Sequence, residues 1–514
     1  MRRSLHTACA AASALLTAVP MAMTTTPALA TTGSKEPWVV RSAVQRANAK
    51  EFASLCGEQK EGVPELRTFR LFRDTPSITA VRDYYRKDTD GTVYWDGHDP
   101  KHPENTVSLS IIGACKDKDK GKDKGGQVTL DGVIEIGTKD YLFTPIPKRP
   151  GEYCLEEIDT LLLPPSGQGA DTVPGNIPRN AKKDTRKAPR ADASNPVAID
   201  IVVPYTPATV TELGGVTEVE ARIRYGVSQM NKALAITNVP ASVHVVHSYQ
   251  TLPSGVTNED VNTLLNKLNN PFDLNIGIPA RAARETYGAD LVALLASVPI
   301  QNSSGAADLP TTVNAQSSGY AYSVTSVLSV KDWDNLGHEL GHNLGMNHDR
   351  ATYISQGGTP APGASNFGWI TGDNAYHTLM AYNTPCRPNC KVINQYSNTI
   401  NTTANGQALG NAQNNNAGQA QLATPFVANY RASKVTTRHN LTMSVSPAGG
   451  GTVTVSEFGP YDPGTQVTVT ARPAAGYVFA GWEVDGVKQT DPTTQYQITM
   501  NQNRSIVALF NQAP

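Results

Sequence analysis

Asp332-Trp333-Asp334-Asn335-Leu336-Gly337-His338-Glu339-Leu340-Gly341-His342-Asn343-Leu344-Gly345-Met346-Asn347-His348-Asp349 is the most informative stretch of the 514-residue chain. At about 100° per residue on a helix, Trp333, Leu336, Leu340 and Leu344 fall within roughly 80° of one another, while His338 and His342 fall on the opposite side. One face packs and the other is left for chemistry. His338 and His342 lie one helical turn apart, so both imidazoles reach one metal ion, with Glu339 beside them and not needed as a ligand. Gly345 can take the left-handed conformation at the helix end, turning the chain so that His348 swings back with a third nitrogen. Three neutral nitrogens leave the fourth tetrahedral position to water, the open arrangement of catalytic zinc; a closed structural site would want a fourth protein ligand. With 10 histidines in the chain, chance agreement at His338, Glu339, His342, Gly345, His348 and Asp349 is on the order of once in a million such chains. His244, His247, His377 and His439 lack this spacing and read as surface or satisfied core histidines.

Around this segment the chain alternates strands and helices over residues 197–434. Apolar runs predict strands at Ala198 to Val203, Ser242 to Val246, Ala289 to Ala296 and Tyr320 to Val330, and helices at Val216 to Leu234 and Val261 to Leu268. Residues 31–163 instead alternate short apolar runs such as Val107 to Ile112 and Val128 to Ile136 with turn residues, the pattern of a mainly β domain. Its Lys116 to Gly126 run interleaves lysine with aspartate. Those lysines repel a dication and the closing Gly-x-Glu of a calcium loop is missing, so a solvated hairpin loop is expected. Residues 164–196 carry Pro164-Pro165, several glycines, Lys182-Lys183, Arg186-Lys187 and Arg190 without apolar periodicity, an exposed linker that a protease can cut. Residues 435–514 return to period-2 runs at Leu441 to Val445, Thr452 to Val455, Gln466 to Ala471, Tyr477 to Phe479 and Ser505 to Phe510. That makes a small all-β module, with Trp482 expected in its core rather than on a glycan.

Composition bounds the partners. Lys plus Arg total 44 against 45 Asp plus Glu, a net charge of −1, so no overall basic field holds nucleic acid or an acidic membrane. Residues 1–30 read as a signal peptide: Met1-Arg2-Arg3, an apolar run from Ala8 to Ala22, and Ala28-Leu29-Ala30 as the cleavage site. The run is too short to span a bilayer and no later window offers about 18 uninterrupted apolar residues, which predicts a secreted, extracellular protein without a transmembrane segment. Export past Ala30 leaves Cys56, Cys115, Cys154, Cys386 and Cys390, an odd count that predicts one spare thiol. Cys386 and Cys390, in Cys-Arg-Pro-Asn-Cys, are expected to form a local disulfide. Pairing among the other three is open.

The central segment matches His-Glu-x-x-His-x-x-Gly-x-x-His and resembles the metzincin metallopeptidases. Met380, in His377-Thr378-Leu379-Met380-Ala381-Tyr382, resembles the methionine turn beneath the zinc of that clan. Asp349 after the third histidine resembles the reprolysin branch, and Ala198 to Arg431, including Tyr287-Gly-Ala-Asp-Leu-Val292, looks most like the bacterial reprolysin-like or peptidyl-Asp metallopeptidases. The resemblance implies a multidomain fold with an α/β metzincin catalytic domain, a twisted mixed sheet plus helices. A mainly β domain precedes it, faintly similar to the propeptides of such enzymes through Leu71-Phe72 and Gly151 to Asp159. The module after it is similar to the divergent internalin-B-like bacterial repeat through Gly464 to Val467 and Gly476 to Trp482.

The implied activity is that of a secreted zinc endopeptidase made as a zymogen and acting on proteins or peptides. His338, His342 and His348 would hold one catalytic zinc, and Glu339 would be general base for its water. Gly345, Asp349, Met380 and Tyr382 are supporting residues. A tyrosine two after the methionine can ligate zinc or steady the oxyanion in astacins and serralysins, whereas reprolysins generally lack that role. An extended substrate would add a strand to the sheet edge preceding the active-site helix, for which Gly305 to Leu309 is the candidate. Cys56 is the candidate for a thiol latch on the zinc until the linker is cut between about Lys182 and Asn195. Similarity to peptidyl-Asp enzymes would require a cation in the pocket beside the zinc, with Arg387 the candidate. Structural calcium, oligomeric state, subsite preference and the ligand of the C-terminal module stay open. The alternative, a non-enzymatic adhesin or surface-binding protein with a structural metal, has little need of a base such as Glu339 beside the water.

Overall fold

A computed structural model describes residues 37–47, 52–56, 60–88, 91–115, 128–146, 149, 151–163, 172–175, 191–193, 195–255, 260–298, 304–331, 334–386, 390–489 and 493–513. The expected signal peptide, the lysine-rich loop and Arg387 lie outside these residues, as does most of the basic linker.

The N-terminal region is an antiparallel sheet of β1 (Val39–Arg46), β2 (Leu66–Phe69), β3 (Ile78–Lys87), β4 (Val93–His98), β5 (Thr106–Ile112), β6 (Thr129–Ile136), β7 (Lys139–Pro145) and β8 (Glu152–Asp159). The order is β1-β8-β7-β6-β5-β4-β3, with β2 on β3. Alternating apolar positions of the strands, among them Trp95, Leu109, Ile111, Ile134 and Leu155, build its core. A short 3-10 turn, Ala53–Cys56, brings Cys56 to the end of β5, where it is disulfide-bonded to Cys115 with the Cα atoms 5.1 Å apart. Cys56 therefore has no thiol to offer as a latch. In the full chain Cys154 is disulfide-bonded too, and no described cysteine is free.

The central region is a mixed sheet of β9 (Thr172–Gly175), β10 (Val197–Tyr205), β11 (Ala241–Gln250), β12 (Leu291–Ala296), β13 (Gly305–Pro310) and β14 (Tyr322–Ser326), in the order β11-β10-β12-β14-β13-β9. Strands β10, β11, β12 and β14 run parallel, and β13 alone is antiparallel to its neighbour β14. The helices are α1 (Pro207–Leu213), α2 (Val216–Ile236), α3 (Val261–Asn269), α4 (Gly277–Tyr287), α5 (Asn335–Asn343), α6 (Arg350–Ser355) and α7 (Asn416–Val427). On one face Ile223, Met230 and Leu234 of α2 and Leu336, Leu340 and Leu344 around α5 share a core with Ile199, Ile201 and Leu295. On the other, Leu264, Leu265 and Leu268 of α3 pack on Val292, Leu294 and Val324. The expected strand Tyr320 to Val330 stops at Ser326. There the chain turns, with Ser329 N donating to Ser326 O (3.0 Å), and delivers Val330 and Lys331 towards α5.

Two short pairs follow: β15 (Asn347–Asp349) with β16 (Phe367–Gly368), and β17 (Tyr376–Thr378) with β18 (Lys391–Ile393). The C-terminal region comprises β19 (Leu441–Ser446), β20 (Gly451–Val455), β21 (Thr465–Pro473), β22 (Tyr477–Val484), β23 (Val487–Lys488), β24 (Gln495–Met500) and β25 (Arg504–Gln512). One sheet, β19-β25-β22-β23, faces β20, β21 and β24. Trp482 is fully buried between them and donates its indole N–H to Thr493 O (2.9 Å), as a core aromatic should. Strand β21 also pairs with β3, so the N-terminal sheet runs on into this region. No helix among the described residues is long and apolar enough to cross a membrane.

Candidate metal centre

The site grows from the end of α5. Gly345 adopts φ +80°, with its N–H donating to His342 O (2.8 Å), and a Cβ there would stand 2.8 Å from Gln419 and 2.9 Å from Val313. Only glycine suits both the backbone angle and the space. The reversal sets β15 beside the helix and brings His348 to His338 and His342. His342 Nε2 lies 3.1 Å from the Nε2 atoms of both other histidines. All three side chains are buried, and among the described residues they are the one group of three or more His, Cys, Asp or Glu side chains placed to hold a metal.

The far nitrogen of each ring is anchored. His338 Nδ1 donates to Leu379 O (2.8 Å), His342 Nδ1 to Met346 O (2.8 Å) and His348 Nδ1 to Gln356 Oε1 (3.1 Å). Carbonyl oxygens only accept, so each Nδ1 carries the proton and each Nε2 turns its lone pair inward. Three lone pairs converging at this range repel one another unless a cation sits among them. The donor set fits zinc, which takes three imidazoles and leaves a position open.

Around the triad the sequence-predicted supporting residues come together. Met380 lies against Gly341, where a Cβ would be 2.6 Å from the sulfur, so the helix passes over the methionine only because residue 341 has no side chain. Asp349 Oδ1 accepts from Thr352 N (2.9 Å), capping α6, and Oδ2 accepts from Tyr382 N (3.2 Å). One carboxylate thereby ties the third histidine's strand to the methionine turn. The Tyr382 ring sits 4.4 Å from that of His348, centroid to centroid, and 6.0 Å from that of His338. Glu339 is fully buried, its Oε1 accepting from Asn335 Nδ2 (3.3 Å). Across from it stands Gly305 of β13, where any Cβ would collide with the Glu339 carboxylate.

A small cleft beside His338 is lined by Ser304, Asn335, His377, Leu379, Tyr382 and Val392. His377, set aside in the sequence for want of spacing, is thus part of the wall, and burial pushes it down to about 4, leaving it neutral at ordinary pH. Its position three residues before Met380 was the available signal. Gly305 was anticipated only as the start of the candidate substrate edge, not as a neighbour of Glu339, and Asn335 and Gln356 carried no signal. Cys386 and Cys390 are bonded to each other as expected. Nothing in the linker's residue pattern announces β9, whose four residues pair in parallel with β13, Thr172 opposite Ala307 through to Gly175 opposite Pro310. They occupy the side of β13 away from β14, the edge expected to receive an extended substrate.

Residues 195–399 match the family model of Metallo-peptidase family M12, and residues 441–514 match that of the divergent InlB B-repeat domain. M12 peptidases generally use zinc, so the first match supports a zinc peptidase. No curated protein matches the chain. Among solved structures, one described as "Structure of a chaperone-substrate complex" aligns at 16% identity and a TM-score of 0.36, over 46% of this chain. The aligned part spans 36% of that other chain.

Proposed function

We propose that the chain is a secreted zinc-dependent endopeptidase made as a zymogen, in which His338, His342 and His348 hold one zinc ion and Glu339 is the general base. The observation that carries this reading is the convergence of three Nε2 lone pairs beside a buried carboxylate, within the residues that match the M12 family. A zinc ion held by His338, His342 and His348 would lower the pKa of a bound water to ~7 and would polarise the scissile carbonyl. Glu339 accepts the proton of that water on its carboxylate and passes it to the leaving amine. Asn335 holds Oε1 from one turn back along the helix. Gly305 lets the β13 backbone approach Glu339, so a peptide extended along β13 would carry its scissile bond past the base. Tyr382, stacked near His348, is suited to steady the developing oxyanion.

Residues 31–163 then serve as propeptide, 164–196 as the processed linker, 197–434 as catalytic domain and 435–514 as accessory module, after a signal peptide of residues 1–30. The zymogen reading draws support from β9. Residues 172–175 take the hydrogen-bonding edge that an extended substrate requires, so latency needs no thiol. Cutting between about Lys182 and Asn195 leaves β9 joined to the N-terminal domain, and the two depart together. Disulfides in the chain fit an oxidising, extracellular setting. The test is incubation of processed protein with a peptide library, with and without chelator. Chelator-sensitive cleavage of internal peptide bonds is expected, and a processed, zinc-loaded protein that cleaves none would overturn the reading.

A further inference from the structure

The N-terminal domain is gripped from two sides. On the first, α2 turns polar side chains to β4, β5 and β6: Ser228 Oγ donates to Asp96 (2.6 Å) and Gln229 Nε2 to Ser108 Oγ (2.6 Å), while Arg222 and Lys331 both meet the buried Asp131. On the second, β21 adds to β3, Gln466 opposite Tyr85 and Val467 opposite Tyr84, and Gly62 and Gln497 exchange both backbone hydrogen bonds (3.0 and 2.6 Å). Side chains close this second seam. Arg82 Nε donates to Gln497 Oε1 (2.8 Å), Thr468 Oγ1 to Arg82 O (2.8 Å) and Arg86 to Asp462 (2.6 Å). Glu61 accepts from Arg504 (2.8 Å) and from Thr499 N (2.9 Å).

We propose that the C-terminal module is a clasp that keeps the N-terminal domain, and β9 with it, on the enzyme after the linker is cut, so that activation needs a second event in which β3 parts from β21. This rests on the zymogen reading. The module acts from a fixed position, since Arg438 pairs with Asp200 (2.7 Å) and Ser242 Oγ donates to Gly459 O (2.9 Å). With β9 on β13 as a third hold, the N-terminal domain escapes only when all are open at once, because each re-forms at the high effective concentration imposed by the others. Neither seam includes a residue of the metal centre, so the hold survives a cut that changes nothing but chain connectivity.

The test uses the full chain carrying Glu339→Gln, which prevents self-digestion, nicked in the basic linker by a site-specific protease at a recognition sequence inserted there and passed over a size-exclusion column. Both fragments should coelute, and their separation after dilution should be about tenfold faster in Glu61→Lys, which sets a cation against Arg504. It should be a few-fold faster in Thr468→Val, which keeps the shape and deletes the bond to Arg82 O. Uncut variants melting with their parent establish that both fold. Parental fragments that separate on the column, or two folded variants that part at the parental rate, would overturn the clasp. The readout is physical association, so it stands even if the chain cleaves no peptide.

Discussion

The two banks of the cleft are made of different material. On one, α5, β15 and the methionine turn present side chains, three imidazoles and a carboxylate, each held by an oxygen or an amide behind it. On the other, β13 presents backbone: Gly305, Ala306 and Ala307 add no bulk, and residues 172–175 bind through the strand edge. On the proposed reading, chemistry belongs to the first bank and access to the second. Substitutions on the first should therefore remove turnover or metal from an intact fold, whereas changes on the second should alter what reaches the base while the metal stays.

The largest effect is expected from Glu339→Gln, which keeps the side chain's shape but cannot accept the water proton. Hydrolysis of a peptide by processed protein should fall about 10²- to 10⁴-fold with zinc content unchanged. Near-normal turnover would break the assignment of the base. On the same bank, His348→Ala should lose zinc on dialysis against a mild chelator. Gln356→Leu, which removes only the partner of His348 Nδ1, should weaken zinc affinity about 10- to 100-fold. Unchanged metal content in both would remove the third ligand from the site.

The second bank is sharpened by Gly305→Ala. Its methyl group collides with Glu339, so strand or carboxylate must shift, and a displacement near 1 Å lowers kcat/KM by up to about 10² while zinc binding persists. Loss of metal in this variant would mean that the banks are not separable. Sequencing the N-terminus of active secreted protein checks how the edge is cleared: a start between about Lys182 and Asn195 is expected, and full activity in a chain starting at Thr31 would refute the zymogen.

The same contrast explains what was legible. The triad, Gly345 and the packing of Leu336, Leu340 and Leu344 follow from spacing within one helix and one turn, and local spacing is what a sequence displays. Gly305 and Asn335 matter through contacts with Glu339, and no periodicity announces a partner 34 residues away along the chain or a polar residue one turn back. Strand β9 is shorter still, four residues in a Pro/Gly-rich linker, a strand because an open edge lies beside it. The pairing of Cys56 with Cys115 depends on a turn that packs at the end of β5, which counting cysteines cannot reveal. For β24 the signal is local, since Tyr496, Ile498 and Met500 alternate along the strand.

The smallest expected effect compares two buried carboxylates on the seams that hold the N-terminal domain. Burial pushes Asp131 up, but Lys331 and Arg222 outweigh it and hold the carboxyl below its ordinary range. Burial and the neighbouring Asp96 push Glu457 up to about 8, against the hydrogen bond from Asn231 (2.9 Å) and the charge of Arg86. The signs are opposite. A lowered carboxyl contributes stability that is present above its unfolded pKa and lost as pH falls, so Asp131 secures the α2 side through neutral pH. A raised carboxyl contributes stability that is full below its unfolded pKa, about 4.5, and lost as pH climbs towards 8, because the folded chain must then hold an ion it would rather keep protonated. Glu457→Gln stays neutral throughout and can still accept from Asn231. Its melting temperature should match the parent's near pH 5 and exceed it by about 2 °C near pH 9. A variant that trails the parent equally at both would mean that the Glu457 carboxylate is paid for elsewhere in the junction, and the two seams would then respond to pH alike.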